Sequence, residues 1–254
     1  MPKAKKKFSQ NFLQDSGVIE DIVAGCDISC SSRVVEVGPG YGALTKSLLR
    51  NTAHVTAIEI DKDAISYLRA NFSGTQLSLV EGDFLDYDLK LLSEPYKLIG
   101  NLPYHISTPI LFHIDRHSDY ILNATLMLQR EVCDRLTAAP GTSDYGKLTV
   151  TMQLKWDIEK LFDVPPEAFD PQPKVWSSVI RLVPRVNIER VDQEAFKRIV
   201  FAAFSKRRKT LRNALKGLVS EAQFKEAAID PIARAERLSV SDFVRLTNTL
   251  QATH

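Results

Sequence analysis

Asn101, Leu102, Pro103 and Tyr104 follow one another directly after the short apolar run 96–99. The amide of Asn101 offers a carbonyl acceptor and two N–H donors. Pro103 restricts the turn and removes a competing N–H, and Tyr104 supplies a ring that can stack on a planar group. A second motif is "EVGPGYGA" at 36–43, which follows a strand-like run and opens a helical one. Gly38 permits a tight turn there, and Gly40 lets a ligand approach the backbone where a helix N-terminus points its amides outward. Glu59 lies about twenty residues further on, and Gly38, Gly40 and Ala43 satisfy the dinucleotide pattern G-x-G-x-x-G/A.

That pattern fits a nicotinamide cofactor, but any nucleoside-bearing cofactor lying across strand ends needs the same features. A carboxylate such as Glu59 holds ribose hydroxyls whichever cofactor owns the ribose. Glu36 ahead of the glycines, Asp83 and Phe84 in "EGDF" at 81–84, and the asparagine motif at 100–104 together favour S-adenosylmethionine. Asp83 suits an acceptor for an adenine amine, and Phe84 an apolar neighbour for the ring. No residues suggest a hydride-transfer site.

The elements that would position these residues are short. The runs 33–38, 54–60, 76–83 and 96–101 are apolar and rich in β-branched residues, and each ends near Gly, Asp or Asn, which predicts buried parallel strands. Segments 42–51 and 61–72 repeat apolar residues at three- and four-residue spacing, which predicts helices. Strand and helix therefore alternate as in a doubly wound α/β sheet. Further strands are expected at 124–129, 156–164 and 177–183, and a helix at 130–136. After Pro184 the strand-like runs stop. The amphipathic stretches 194–204, 209–218, 221–229 and 240–250 predict a small all-helical domain, so the expected division is 1–184 and 185–254.

The composition, 44% hydrophobic and 25% charged, is that of a globular protein. No apolar run reaches the roughly 18 residues of a membrane span, and the lysine-rich start lacks a following apolar stretch, so a cytoplasmic protein is expected. Cys26, Cys30 and Cys133 form neither a disulfide framework nor a zinc pattern and are expected to be buried. His113 and His117, four apart on a predicted helix, lack a third ligand, so no metal is expected. The net charge is only +2. Basic residues nevertheless cluster at Lys3, Lys5, Lys6 and Lys7 and again at Lys206, Arg207, Arg208, Lys209, Arg212 and Lys216. Each cluster could be a solvated surface or a polyanion-binding patch.

Eight motifs in order, "FSQNFL" (8–13), "EVGPGYGALT" (36–45), "IEID" (58–61), "EGDF" (81–84), "GNLPYHIST" (100–108), "LMLQREV" (126–132), "FDPQPKVWSSV" (169–179) and "FSKRRKTLRN" (204–213), span nearly the whole chain. In this combination the chain resembles the class I methyltransferases and, within them, the KsgA-type small-subunit ribosomal RNA adenine dimethyltransferases. The resemblance implies a Rossmann-like, mostly parallel sheet and an S-adenosylmethionine site bordered by Gln10, Asn11, Leu13, Gly38, Gly40, Glu59, Ile60, Asp83, Phe84 and Asn101. It further implies N6-dimethylation of two adjacent adenosines near the 3′ end of 16S rRNA in the 30S subunit, by a monomer, with a role in subunit biogenesis. Lys206, Arg207, Arg208, Lys209 and Arg212 would hold phosphates. In place of the family's usual P-K-V-D-S the chain reads Pro173-Lys174-Val175-Trp176-Ser177.

For such a substrate, the Asn101 side-chain carbonyl and the Leu102 backbone carbonyl would accept from the two amine protons of adenine. Tyr104 would stack on the flipped base, and Phe169 would form the opposite wall. His105 stands beside this motif but is read as a loop histidine rather than a base. A large-subunit rRNA methyltransferase and a non-catalytic ribosome assembly factor are the alternative readings.

Overall fold

The alternation of β-branched runs with amphipathic segments produces one mixed sheet with helices at its strand connections. A computed structural model describes residues 11–52, 54–92, 94–206 and 208–250. The chain runs β1 (Phe12–Leu13), α1 (Ser16–Gly25), β2 (Arg33–Val37), α2 (Ala43–Asn51), β3 (His54–Glu59), α3 (Lys62–Asn71), β4 (Leu77–Glu81) and β5 (Tyr96–Asn101). It continues with α4 (Ser107–Arg116), β6 (Ile121–Gln129), α5 (Arg130–Leu136), α6 (Lys147–Gln153), β7 (Trp156–Val164), β8 (Phe169–Asp170) and β9 (Ser177–Pro184). Four helices follow, α7 (Gln193–Ala203), α8 (Leu211–Ala214), α9 (Glu221–Glu226) and α10 (Val240–Asn248).

The seven-stranded sheet has the order β4-β3-β2-β5-β6-β9-β7. Strands β2 to β6 pair in parallel, and β9 runs antiparallel to β6. The order reverses between β2 and β5, so a crevice opens beyond the carboxyl ends of these neighbours, where ligands of doubly wound sheets bind. The expected strands form, with two differences. β4 is the edge strand and is only half-buried, and β6 begins at Ile121, three residues earlier than its apolar pattern indicates.

Compactness divides the chain into two units. The first comprises the residues up to Cys133 together with Asp157–Pro184, and the second comprises Asp134–Trp156 together with the chain from Arg185 onward. In the first, Val34, Val55, Ile99, Met127 and Val179 of the sheet pack with Ile22 and Leu48 of the covering helices. In the second, Tyr145, Val150 and Leu154 share a core with Phe196, Leu211, Phe224 and Phe243. The stretch 134–156 therefore joins the helical unit through its apolar residues, although it lies ahead of the composition change at Pro184. α8 forms only over Leu211–Ala214, much less than the amphipathic stretch 209–218.

Local capping explains the helix starts. Asp15 accepts from the Val18 N–H, Asp61 from Asp63 N–H and Asp192 from Ala195 N–H, and Ser220 with Gln223 and Ser239 with Asp242 form capping boxes. At α2 the N-cap is Gly42, which makes no side-chain cap bond.

Where β2 and β5 meet, Gly100 has no room for a side chain. A Cβ there would stand 3.0 Å from the Val37 carbonyl oxygen and 3.0 Å from Leu102 Cδ2. Gly100→Ala should therefore cost about 1–3 kcal/mol of stability, read as a lowered urea midpoint with an unchanged m-value. An unaltered midpoint would show that the strands accommodate the methyl group.

Candidate active site

One cleft of about 1520 Å³ gathers most of the residues singled out in the first unit, among them Asn11, Leu13, Gly38, Gly40, Glu59, Ile60, Asp83, Phe84, Asn101, Leu102, Pro103 and Tyr104. Single small-molecule pockets span roughly 300–1,000 Å³, so this one has room for a cofactor and part of a second substrate. Gln10 lies outside the described residues.

Glu59 ends β3 and is buried. Its Oε2 accepts from the Gly40 N–H at 2.9 Å, and its Oε1 from the Ile60 and Asp61 N–H groups at 2.9 and 2.8 Å. Three amides fix the carboxylate, and it thereby holds the turn after β2. In that turn Gly38 and Gly40 have φ of +63° and +56°, a region open to glycine at little cost. A Cβ on Gly40 would also stand 3.3 Å from the Phe12 ring. Each carboxylate oxygen can accept more than one bond, so Glu59 can bind the turn and a ribose hydroxyl together.

At the end of β4, Asp83 Oδ1 accepts from the Leu85 N–H at 2.9 Å, while its other oxygen has no protein partner among the described residues. Phe84 is buried with its ring edge to His113, centroids 5.1 Å apart. Ile60, although apolar, is 47% exposed beside them. A carboxylate oxygen that can accept from an exocyclic amine, in one cleft with the apolar side chains of Phe84 and Ile60, suits an adenine ring, so these residues fit the adenosyl part of S-adenosylmethionine.

Asn101 ends β5. Its Nδ2 donates to the Asn11 carbonyl at 3.3 Å, and its Oδ1 accepts no bond among the described residues. The Leu102 N–H donates to the Met127 carbonyl at 3.0 Å, which anchors the turn to β6. Tyr104 and Ser177 share a hydrogen bond of 2.7 Å between their hydroxyls, and burial raises the phenol above its usual pKa, so it stays protonated. Ser177 was not anticipated. Its signal, a serine at the start of the β9 pattern, is too common to single out.

Phe169 is not brought to the cleft. It pairs with Leu13 across the β1–β8 ladder and is 3% exposed, packed in the core, while Asp170 and Pro171 line the cleft instead. His105 is exposed at the rim without a hydrogen bond among the described residues. His113 is buried, with Nε2 3.0 Å from the Tyr87 carbonyl, and burial with the neighbouring His117 lowers its pKa. No group of three potential metal ligands occurs among the described residues. Cys26 and Cys133 are buried as expected, but Cys30 is exposed in the loop between α1 and β2.

The second unit carries the basic residues 206–212, of which Arg207 lies outside the described residues. Lys206, Arg208 and Lys209 are exposed with no ion pair among the described residues. Arg212 differs: it is paired with Glu221, Nε to Oε1 at 2.6 Å and Nη2 to Oε2 at 2.9 Å. This pair is exposed on both sides and contributes little to stability, so a phosphate can compete for the guanidinium.

Glu36, in the cleft wall, is 1% exposed and accepts from Thr45 Oγ1 at 2.6 Å. Burial pushes its pKa up to about 7, with the nearby Glu59 charge acting the same way and the Thr45 bond opposing. An acid raised in the folded state contributes stability that is complete below its ordinary value and is lost as pH rises through about 7. Glu36→Gln should therefore match the parent near pH 4.5 and exceed it at pH 8 by at most on the order of 3 kcal/mol. Thermal melts at both pH values check this, and an equal difference at the two would contradict it.

The comparisons with known proteins agree with this geometry. The family described as ribosomal RNA adenine dimethylase matches residues 1–252. The chain is 48% identical over 250 residues to the ribosomal RNA small subunit methyltransferase A of Methylococcus capsulatus, covering 97% of both chains. It is 47% identical over 248 residues to the protein of the same name from Laribacter hongkongensis, covering 96% and 95%. Among solved structures it resembles a dimethyladenosine transferase from Plasmodium falciparum, with TM-score 0.79, 25% identity and coverage of 95% and 98%. It also resembles the 23S rRNA methyltransferase ErmE, with TM-score 0.74, 27% identity and coverage of 95% and 100%. With the fold, the cleft and a match along almost its whole length in agreement, the chain belongs to the ribosomal RNA adenine dimethylase family.

Proposed function

We infer that the protein dimethylates adenosine on N6 in small-subunit rRNA with S-adenosylmethionine as methyl donor. Its targets on this reading are two adjacent adenosines near the 3′ end of 16S rRNA, within the 30S subunit. The observation that carries the reading is the Asn101 amide. One of its two Nδ2 N–H groups donates to the Asn11 carbonyl, which fixes the orientation of the amide and leaves its carbonyl Oδ1 as an acceptor.

An adenine N6 amine is a poor nucleophile because its lone pair is delocalised into the ring. Asn101 Oδ1 and the Leu102 carbonyl can accept from its two protons, which favours a pyramidal nitrogen with the lone pair aimed away from both acceptors. Pro103 follows with no N–H to compete for these oxygens. The Tyr104 ring, pinned through its hydroxyl to Ser177, stacks on the extruded base, a contact worth about 1–3 kcal/mol. S-adenosylmethionine, which Gly38, Gly40, Glu59, Asp83 and Phe84 would hold, would supply an electrophilic methyl group whose leaving group is a neutral thioether. The surplus amine proton then passes to water, so no strong base is needed in the motif. Alignment of the two reactants contributes most of the acceleration, of order 7–11 kcal/mol.

Lys206, Arg208, Lys209 and Arg212, with Arg207, supply phosphate contacts on this reading. The protein acts as a monomer in the cytoplasm, and no helix among the described residues is long and apolar enough to cross a membrane. Role assignments for Asn11, Gly38, Gly40, Glu59, Ile60, Asp83 and Phe84 rest on the cleft geometry. Phe169 would reach a base only if the β1–β8 ladder rearranged.

The decisive experiment is transfer of labelled methyl to small subunits lacking the modification, with large subunits and free RNA as controls. Label is expected as N6-dimethyladenosine on the small-subunit particles, and label on large-subunit RNA would overturn the substrate assignment. Asn101→Ala should lower the rate by about 100-fold, comparable to loss of one preorganised polar contact at a reacting centre; unchanged turnover would remove its orienting role. Reversing the charges of Lys206, Arg208 and Lys209 should flatten the slope of log affinity against log salt by about one per lost phosphate contact. An unchanged slope would place RNA elsewhere.

A further inference from the structure

Trp176 is 44% exposed, although a large apolar ring is costly to leave in water. It directly precedes Ser177, which opens β9 and shares a hydrogen bond with the Tyr104 hydroxyl. Ser177 stands opposite Gln129 at the carboxyl end of β6, and Asn101 stands opposite Met127 on the other side of that strand. Trp176 is thus about two strand spacings, some 10 Å, from the strand that bears Asn101.

Two cations accompany it. The Arg130 N–H donates to the Trp176 carbonyl at 3.0 Å, and the Arg130 guanidinium carbon sits 5.8 Å from the centre of the Trp176 ring. Lys174, two residues earlier, is exposed, and neither Lys174 nor Arg130 makes an ion pair among the described residues. An exposed indole flanked by two exposed cations matches the chemistry of a splayed nucleotide: a π-face for the base and positive charge for its phosphate. Burial cannot explain the ring, since Val175 beside it is also exposed.

We propose that Trp176, with Arg130 and Lys174, is a stacking platform for an unpaired RNA nucleotide flanking the target adenosine, so that it sets RNA affinity rather than the methyl-transfer step. The proposal rests on the rRNA-methylation reading above. Trp176 touches neither the cofactor residues nor the reacting amine, and is a substrate-positioning residue.

The test compares wild type, Trp176→Ala and Trp176→Phe. With small-subunit particles lacking the modification as substrate, Trp176→Ala should raise their KM about fivefold or more while leaving kcat within about twofold. Trp176→Phe, which keeps a ring, should restore most of the affinity. An unchanged KM, or a loss confined to kcat, would overturn the proposal. A rise in KM for the particles with an unchanged binding affinity for protein-free small-subunit rRNA would also overturn it, in favour of a ribosomal protein as the partner.

A second readout does not require turnover. The chain has only two tryptophans, and Trp156 is fully buried. Titrating with a single-stranded oligonucleotide that carries two adjacent adenosines should quench wild-type tryptophan emission well beyond that of Trp176→Phe. Equal quenching in both would contradict stacking at Trp176. If wild type quenched as expected yet transferred no methyl to any rRNA, the reaction assigned above would fail while the stacking platform stood.

Discussion

Three backbone N–H groups converging on the Glu59 carboxylate organise the active site. They come from two places in the chain, the glycine turn after β2 and the first residues beyond β3. A buried carboxylate without such partners would be costly, and with them it becomes a clamp that holds two strand ends at fixed separation. The left-handed backbone at Gly40 is what aims its N–H at Glu59, and the absent side chain is what lets the Phe12 ring come close. The cofactor floor, the glycine turn and the N-terminal segment therefore form one connected unit.

The same logic extends to the target side. Asn101 reaches back to the Asn11 carbonyl, one residue before β1, and β1 is itself paired to β8. The segment that borders the cofactor is thus fastened at one end by the asparagine that would orient the target amine. Tyr104 is fastened separately, through Ser177, to the antiparallel strand β9. Methyl transfer needs two reactants held in one alignment, and here Glu59 ends β3 and Asn101 ends β5 of the same seven-stranded sheet. Rigid strand ends give that precision where mobile loops would not.

Charge is arranged differently in the two units. The cleft wall contains Glu36 and Glu59, close enough for the charge on one to raise the pKa of the other. That environment favours a positively charged ligand over an anionic one. The helical unit exposes Lys206, Arg208 and Lys209 without acidic partners among the described residues, which favours a polyanion. A cationic methyl donor and an RNA acceptor are therefore attracted to different parts of the chain, and a near-neutral net charge hides both preferences.

The strand ends, the glycine turn and the run Asn101 to Tyr104 were legible in the sequence because each is local: β-branched runs, a glycine spacing and a proline constrain the backbone over a few residues. The order of motifs along the chain made the family recognisable for the same reason. What depended on partners distant in sequence was not legible. Phe169 reads as the wall opposite Tyr104 across the flipped base, but pairing of β8 with β1 packs it in the core and leaves Asp170 and Pro171 at the cleft. Arg212 reads as one more free cation, until α9 brings Glu221 to it. Residues 134–156 look like a continuation of the first unit, and only the shared core of Tyr145, Val150 and Phe196 assigns them to the helical one. Local backbone preference is written in neighbouring residues. Which face of a strand is covered, and which charge finds a partner, is decided only when distant segments pack.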